Sequence, residues 1–215
     1  MQNNHLLKKA ILALLLCVAM PILNAQIAHV GDILCEGDLI VSPANYPSSG
    51  ATAKAVVFYV DNTGQHGWAI ALENAGVGRW GAFDDTPLTN FGGFRQAIYD
   101  LDGYYNTQIV RAFGSNDTGN YFAFFAVDFE NGWYLPALGQ LNYLYGNLDE
   151  VNASLGVVGG SQFAGTWQYW SSTEAGWRNS WYLMYTGEIH QRNNVNNYDS
   201  ESKRLDKSVR AAINF

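Results

Sequence analysis

Three pairs of neighbouring acidic residues are the first groups in this chain that could do chemistry: Asp84 with Asp85, Asp100 with Asp102, and Asp149 with Glu150. Two carboxylates set across a cleft suffice for glycoside hydrolysis, one as acid and one as nucleophile or base. Pairs this close along the chain also serve simply as solvated charge in loops and at helix ends, and that is the reading taken for them. Glu174 differs because it adjoins an aromatic run; a hydrogen bond within its "SSTE" turn is its simplest role. Past residue 25 the histidines are His29, His66 and His190, with no His-x-His, no His-Glu-x-x-His and no cysteine cluster, so no transition-metal site is expected. "GGSQF" is not a nucleophile elbow, and "GVVGGS" lacks the lysine of a phosphate loop. Oxygen ligands are dense in "GSNDTGN" and "NNYDSES", but without the spacing of a calcium loop. The expectation is therefore no catalytic residue, no metal and no cofactor.

A different kind of chemistry is concentrated in "WRNSWYLMYTGEIHQRNNVNN", residues 177–197. Trp, Tyr and Arg dominate binding hot spots because they offer large contact areas or forked donors at low entropic cost, and Asn adds adaptable hydrogen bonds. Strand alternation would turn Trp181, Leu183 and Tyr185 to the core and Tyr182 and Met184 outward. The expected ligand-binding surface is therefore Arg178, Asn179, Tyr182, Met184, His190, Arg192, Asn193, Asn194, Asn196, Asn197 and Tyr198. Trp177 is assigned with Trp181 and Tyr185 to packing.

The elements that must position this surface can be read from periodicity. "VGDILCEGDLIVSP" predicts two short strands about Gly37 and Asp38, and Ala55–Val60 with Trp68–Leu72 predicts a hairpin over a polar loop. Phe91, Phe94, Ile98 and Leu101 recur at helical spacing, Gly103 interrupts, and "TQIVRAF" resumes, which predicts two short helices. "NYFAFFAVDF" suits a helix or a buried strand, with the helix preferred. Leu138, Leu141, Tyr145, Leu148, Val151 and Leu155 trace one face of a helix begun near Pro136 and ended by "GVVGG". After "SWYLMY", the "TGE" turn leads to a second short strand, and residues 193–208 read as a polar loop. "SVRAAINF" closes the chain as a strand with Val209, Ala211, Ile213 and Phe215 on one face and Arg210 and Asn214 on the other. The sum is an α+β fold: an antiparallel sheet holding the N- and C-terminal strands, with two to four short helices.

Ahead of all this, Lys8 and Lys9, the apolar "AILALLLCVAM", Pro21 and "LNA" form a secretory signal over residues 1–25, too short to span a membrane. A lipoprotein anchored at Cys17 would want a small residue before the cysteine, where this chain has "LLL". Cleavage leaves a single domain, residues 26–215. The 12 basic residues less Lys8 and Lys9 face 19 acidic ones, a net charge of −9, which argues against nucleic acid as partner. Cys35 is then the only cysteine, so no disulfide can brace an exported chain. The destination is periplasm, cell surface or medium.

The segments "DLDGYYNTQIV" (100–110), "GWYLPALGQLNYLY" (132–145), "YWSSTEAGWRNSWYLMYTGE" (169–188) and "SVRAAINF" (208–215) together resemble the Lcl C-terminal-like domains of bacterial exported and surface proteins. Those domains are similar in turn to the C-type-lectin fold, to receptor-binding proteins diversified by retroelements, and distantly to formylglycine-generating enzymes. The resemblance implies a C-type-lectin-like fold and a binding or adhesion role for an extracellular glycan or protein. It also implies that "NNVNNYDS" matches the residue palette of adenine-directed diversification. Departures are Tyr134 where the family commonly has Arg, and "VRAAINF" where it usually ends "VRPVR" or "VRAV". The calcium-lectin motifs Glu-Pro-Asn and Trp-Asn-Asp are absent, and formylglycine chemistry would need two cysteines. The alternatives are a glycan-active hydrolase using carboxylates on the same face, or a non-catalytic structural envelope protein.

Overall fold

The computed structural model describes residues 27–185 and 198–215. The signal segment, and the "TGE" turn with the strand expected after it, lie outside the described residues. Two five-stranded sheets form the frame. Sheet A is antiparallel throughout, ordered β10 (Ala212–Asn214), β4 (Gly67–Ala71), β3 (Ala53–Val60), β1 (Ile33–Cys35), β2 (Ile40–Val41). Sheet B is ordered β5 (Gly76–Arg79), β9 (Asp206–Val209), β6 (Trp167–Glu174), β7 (Asn179–Tyr185), β8 (Tyr198–Ser202), and is mixed because β9 runs parallel to β6. The single sheet expected from the sequence is thus two. The N- and C-terminal strands do share sheet A, at β1 and β10.

The helices are α1 (Tyr46–Ser49), α2 (Phe94–Ala97), α3 (Gly103–Phe113), α4 (Phe122–Phe125), α5 (Leu138–Gly146) and α6 (Leu148–Val158). Six among the described residues exceed the expected two to four, partly because the long helix is broken at Asn147. There the chain leaves helical geometry, and the Asn147 side chain donates to the Phe58 carbonyl of β3 at 2.9 Å. The predicted apolar face survives the break: Leu138, Leu141, Tyr145, Leu148, Val151 and Leu155 all enter one core. Gly159, at φ +73°, closes α6 in the left-handed conformation that a side chain resists.

The α5–α6 pair separates the two sheets. Val56, Phe58 and Ile70 of sheet A and Tyr169, Trp181 and Leu183 of sheet B pack on its sides in a single cluster. The far side of sheet B is covered as well: Trp170, Tyr182 and Val209 meet Trp80, Val110, Tyr121, Phe124 and Leu135 in a second cluster. A strand buried on both faces needs a run of apolar residues rather than an alternation, which explains "VVFYV" and "SWYLM".

Two expectations fail at the C-terminus. Residues 198–202 and 206–209 are strands β8 and β9 joined by a turn, not one loop, although their sequence is polar. Their inward lysines are neutralised in place, with Lys207 bonded to Gln168 Oε1 and Glu201 Oε2, each at 2.6 Å. "SVRAAINF" is not one strand either. The chain leaves sheet B after Val209 and joins sheet A at Ala212, so Arg210 falls inside the crossover and is buried. Its Nε and Nη2 donate to the Ala71 and Leu72 carbonyls at the end of β4, at 2.8 and 2.6 Å.

Candidate functional site

The β6–β7 hairpin carries the start of the run singled out in the sequence. Glu174 pairs with Ser180, and a tight turn links them in which the Ala175 and Gly176 amides donate to the Asn179 carbonyl. Trp177 and Arg178 sit at its tip. The Trp177 side chain is 50% exposed and meets the Phe83 ring edge to face, with centroids 6.1 Å apart. The Arg178 guanidinium lies 4.3 Å from the Trp177 ring and 5.5 Å from Phe83, and that of Arg204 lies 4.2 Å from Phe83. Two aromatic rings and two cations from three separate loops therefore form one exposed cluster.

Beneath it lies a buried ion pair. Glu174 and Lys203 are both fully buried and bonded to each other. Glu174 also accepts from the Thr86 amide and hydroxyl, at 3.2 and 2.7 Å, while Lys203 Nζ donates to the Asp84 carbonyl at 2.6 Å and lies 4.7 Å over the Trp80 ring. The Lys203 amide donates to the Arg178 carbonyl. Burial pulls the Lys203 pKa down, and Glu174 opposes that pull. Breaking such a pair would leave an uncompensated buried charge, and its contacts join the Phe83 loop, the hairpin tip and the β8–β9 turn at one point. Glu174 sits at a strand end rather than within a turn, and as a buried partner of Lys203 it has no access to a substrate.

The expected surface is placed as follows. Arg178 and Asn179 are exposed at the tip. Tyr182 is not outward-facing: it is 4% exposed, 6.0 Å from Trp170, with Lys207 Nζ 3.8 Å from its ring centre. Burial pushes its pKa up to about 12. Met184 is half-buried beside Gln168. Trp181 and Leu183 do alternate with Tyr182 and Met184 along β7, but the face assigned to solvent is covered by the second core. His190, Arg192, Asn193, Asn194, Asn196 and Asn197 lie outside the described residues, and Tyr198 opens β8 opposite Leu183.

The acidic pairs hold positions in the frame. Asp100 accepts from Thr173 and Asn106, Asp102 caps α3 through the Tyr105 amide, and Asp149 and Glu150 occupy the first turn of α6, where the helix dipole favours negative charge. Asp84 and Asp85 are exposed beside Phe83. Sequence reasoning missed Phe83 and Arg204 and placed Trp177 in the core. The available signal was position: Trp177 follows Gly176 between two strands, where a large ring projects from a turn, and Phe83 stands among turn-forming residues. A second exposed apolar group, Tyr99, Leu101, Tyr104 and Tyr105, belongs to the segment that Asp100 ties to the same end of β6. Two clefts of about 300 and 380 Å³ flank sheet A, the larger lined by Glu36, Lys54, Asp128, Asn131, Trp133 and Ile213. No helix among the described residues is long and apolar enough to cross a membrane.

No family model matches the chain, and no curated protein does. Among solved structures it is similar to a fimbrial protein from Bacteroides ovatus ATCC 8483, with a TM-score of 0.63 and 16% identity over 87% of this chain. The match spans 49% of that protein, so this chain corresponds to about half its length. At that identity the likeness shows the fold alone: the α+β fold of this chain is similar to that of part of a bacterial fimbrial protein.

Proposed function

We propose that this chain is an exported bacterial surface protein that binds a ligand outside the cell and does no chemistry on it. In this reading residues 1–25 are a cleaved signal, residues 26–215 form one ligand-binding unit of C-type-lectin-like kind, and its partner is a glycan or a cell-surface protein rather than nucleic acid. The carrying observation is the hairpin tip: a half-exposed tryptophan held by the Arg178 guanidinium and the Phe83 ring, above a buried ion pair. Pre-organised aromatic and arginine side chains at a surface are what binding hot spots are made of. The fimbrial description of the structural neighbour is in keeping with a surface role. The carboxylate reading is weakened by Glu174, which is buried and paired. Residues 190–198 remain part of the proposed surface.

The test is binding of the secreted chain to cells and to glycan and protein arrays, with Trp177→Ala as the variant. Removing a hot-spot ring costs about 2 kcal/mol or more, so affinity falls at least roughly thirtyfold while the melting temperature holds. Undiminished binding by a folded Trp177→Ala protein places the surface elsewhere, with Tyr99 and Tyr105 the next residues to replace. Turnover of any arrayed glycan would refute the non-catalytic assignment.

A further inference from the structure

The two guanidinium groups at the tip are stacked on aromatic rings. Their Cζ atoms lie 4.2 and 5.5 Å from the centre of the same Phe83 ring, so they are at most 9.7 Å apart. A guanidinium lying on an aromatic face keeps its N–H fork free at the edge, where it can take two oxygens of a carboxylate or sulfate. Among the described residues neither Arg178 nor Arg204 has a carboxylate within ion-pair distance. This holds although Asp84 and Asp85 directly follow Phe83 in the same loop. That loop is drawn toward Lys203 instead, through the Asp84 carbonyl. In a chain with 19 acidic and 12 basic residues, two neighbouring arginines without an ion-pair partner among the described residues, beside a half-exposed indole, are a local exception.

The tip also limits what can sit on it. The Ala175, Gly176 and Asn179 amides are bonded within the turn, so these three are not offered to an extended peptide. What is offered is the half-exposed Trp177 ring with the Arg178 guanidinium over one face, beside a second guanidinium, that of Arg204, on the neighbouring Phe83 ring. We infer that the tip binds a polysaccharide bearing anionic groups, one sugar face against Trp177 and carboxylate or sulfate oxygens in the forks of Arg178 and Arg204. This rests on the surface-binding role proposed above and adds the charge of the ligand to it.

The experiment measures binding of the whole secreted chain to polygalacturonate, dextran sulfate, unmodified dextran and polyglutamate at low and high salt. It uses the wild type, the Arg178→Gln/Arg204→Gln pair and the Asp84→Asn/Asp85→Asn pair, all at exposed positions, with melting curves to confirm the fold. At least one anionic polysaccharide binds, more weakly at high salt. Loss of two charge-assisted contacts lowers its affinity about tenfold or more in the arginine variant. The aspartate variant binds more tightly than wild type, because it removes like charge from beside the ligand. Polygalacturonate against dextran sulfate tells carboxylate from sulfate. Equal binding of unmodified dextran, preference for polyglutamate, or weaker binding by the aspartate variant overturns the anionic assignment while surface binding stands. Cell binding that persists without affinity for either anionic polysaccharide does the same, whereas failure to bind any polymer or cell removes both readings.

Discussion

Asp100 shows how a residue that reads as a catalytic candidate becomes structural once its surroundings are known. Its Oδ2 accepts from the Thr173 hydroxyl at 2.7 Å and the Asn106 amide at 2.8 Å, and the Thr173 hydroxyl in turn accepts from the Leu138 amide. One carboxylate thereby joins the end of β6, α3 and the start of α5. Burial raises its pKa above the ordinary 3.8, and the hydrogen bonds oppose that without cancelling it. The folded state then holds a proton on Asp100 more readily than the unfolded chain does. The stabilisation from that proton is complete below pH 3.8 and is lost as pH rises through the folded-state pKa. Asp100→Asn keeps an acceptor for both donors and removes the titration. Denaturant midpoints measured from pH 3 to 7 are expected to show a variant that gains on the wild type as pH rises. A constant difference across that range would mean that Asp100 titrates alike in both states.

At the level of elements, one contact decides how the loop before α3 meets α5. A Cβ built on Gly139 would lie 2.4 Å from the Ile98 carbonyl oxygen and 2.5 Å from that of Asp100, and the Gly139 amide donates to Asp100. Gly139→Ala must therefore push backbone against backbone, and overpacking of this kind costs about 1–3 kcal/mol. A lowered melting temperature checks it; an unchanged one would show that the loop yields freely. The same contact explains a misreading. Phe91, Phe94, Ile98 and Leu101 have helical spacing, yet only Phe94–Ala97 is helical, because the residues from Ile98 to Asp100 present carbonyls to Gly139. Elements whose apolar residues all face one core were legible, as in α5, α6 and the β3–β4 hairpin. Illegible were those fixed by a distant partner: β8 and β9, whose lysines are satisfied by Glu174, Gln168 and Glu201, and the buried face of Tyr182, which depends on residues 80–135 arriving behind it. The binding tip was half legible for the same reason. Trp177 and Arg178 lie in the run, while Phe83 and Arg204 reach it only through the fold.

For the molecule as a whole, the question is what makes two sheets behave as one body. The α5–α6 pair supplies apolar contact to both, but the covalent link with the shortest span is the crossover from β9 to β10. Around it the Ala71 amide donates to the Ala211 carbonyl and the Ala75 amide to the Val209 carbonyl, so β4 and the segment after it are laced to both sides of Arg210. Arg210 completes the join by filling the Ala71 and Leu72 carbonyls while its Cζ lies 4.3 Å over the Phe163 ring. Burial lowers the Arg210 pKa, a direction that marks how little solvent reaches the crossover. Arg210→Met keeps most of the apolar volume but leaves the Ala71 carbonyl without its side-chain donor, at about 1–3 kcal/mol, while the Leu72 carbonyl keeps the Ser161 amide. Hydrogen exchange locates the effect better than a single melting curve. If the crossover couples the sheets, amides of β4 and of β7 lose protection together in the variant, β7 lying one strand further into sheet B than the Tyr169 of β6 that Arg210 itself reaches. Loss confined to Ala69–Leu72 would instead mean that Arg210 serves the end of one strand, and that the helices alone hold the sheets in register.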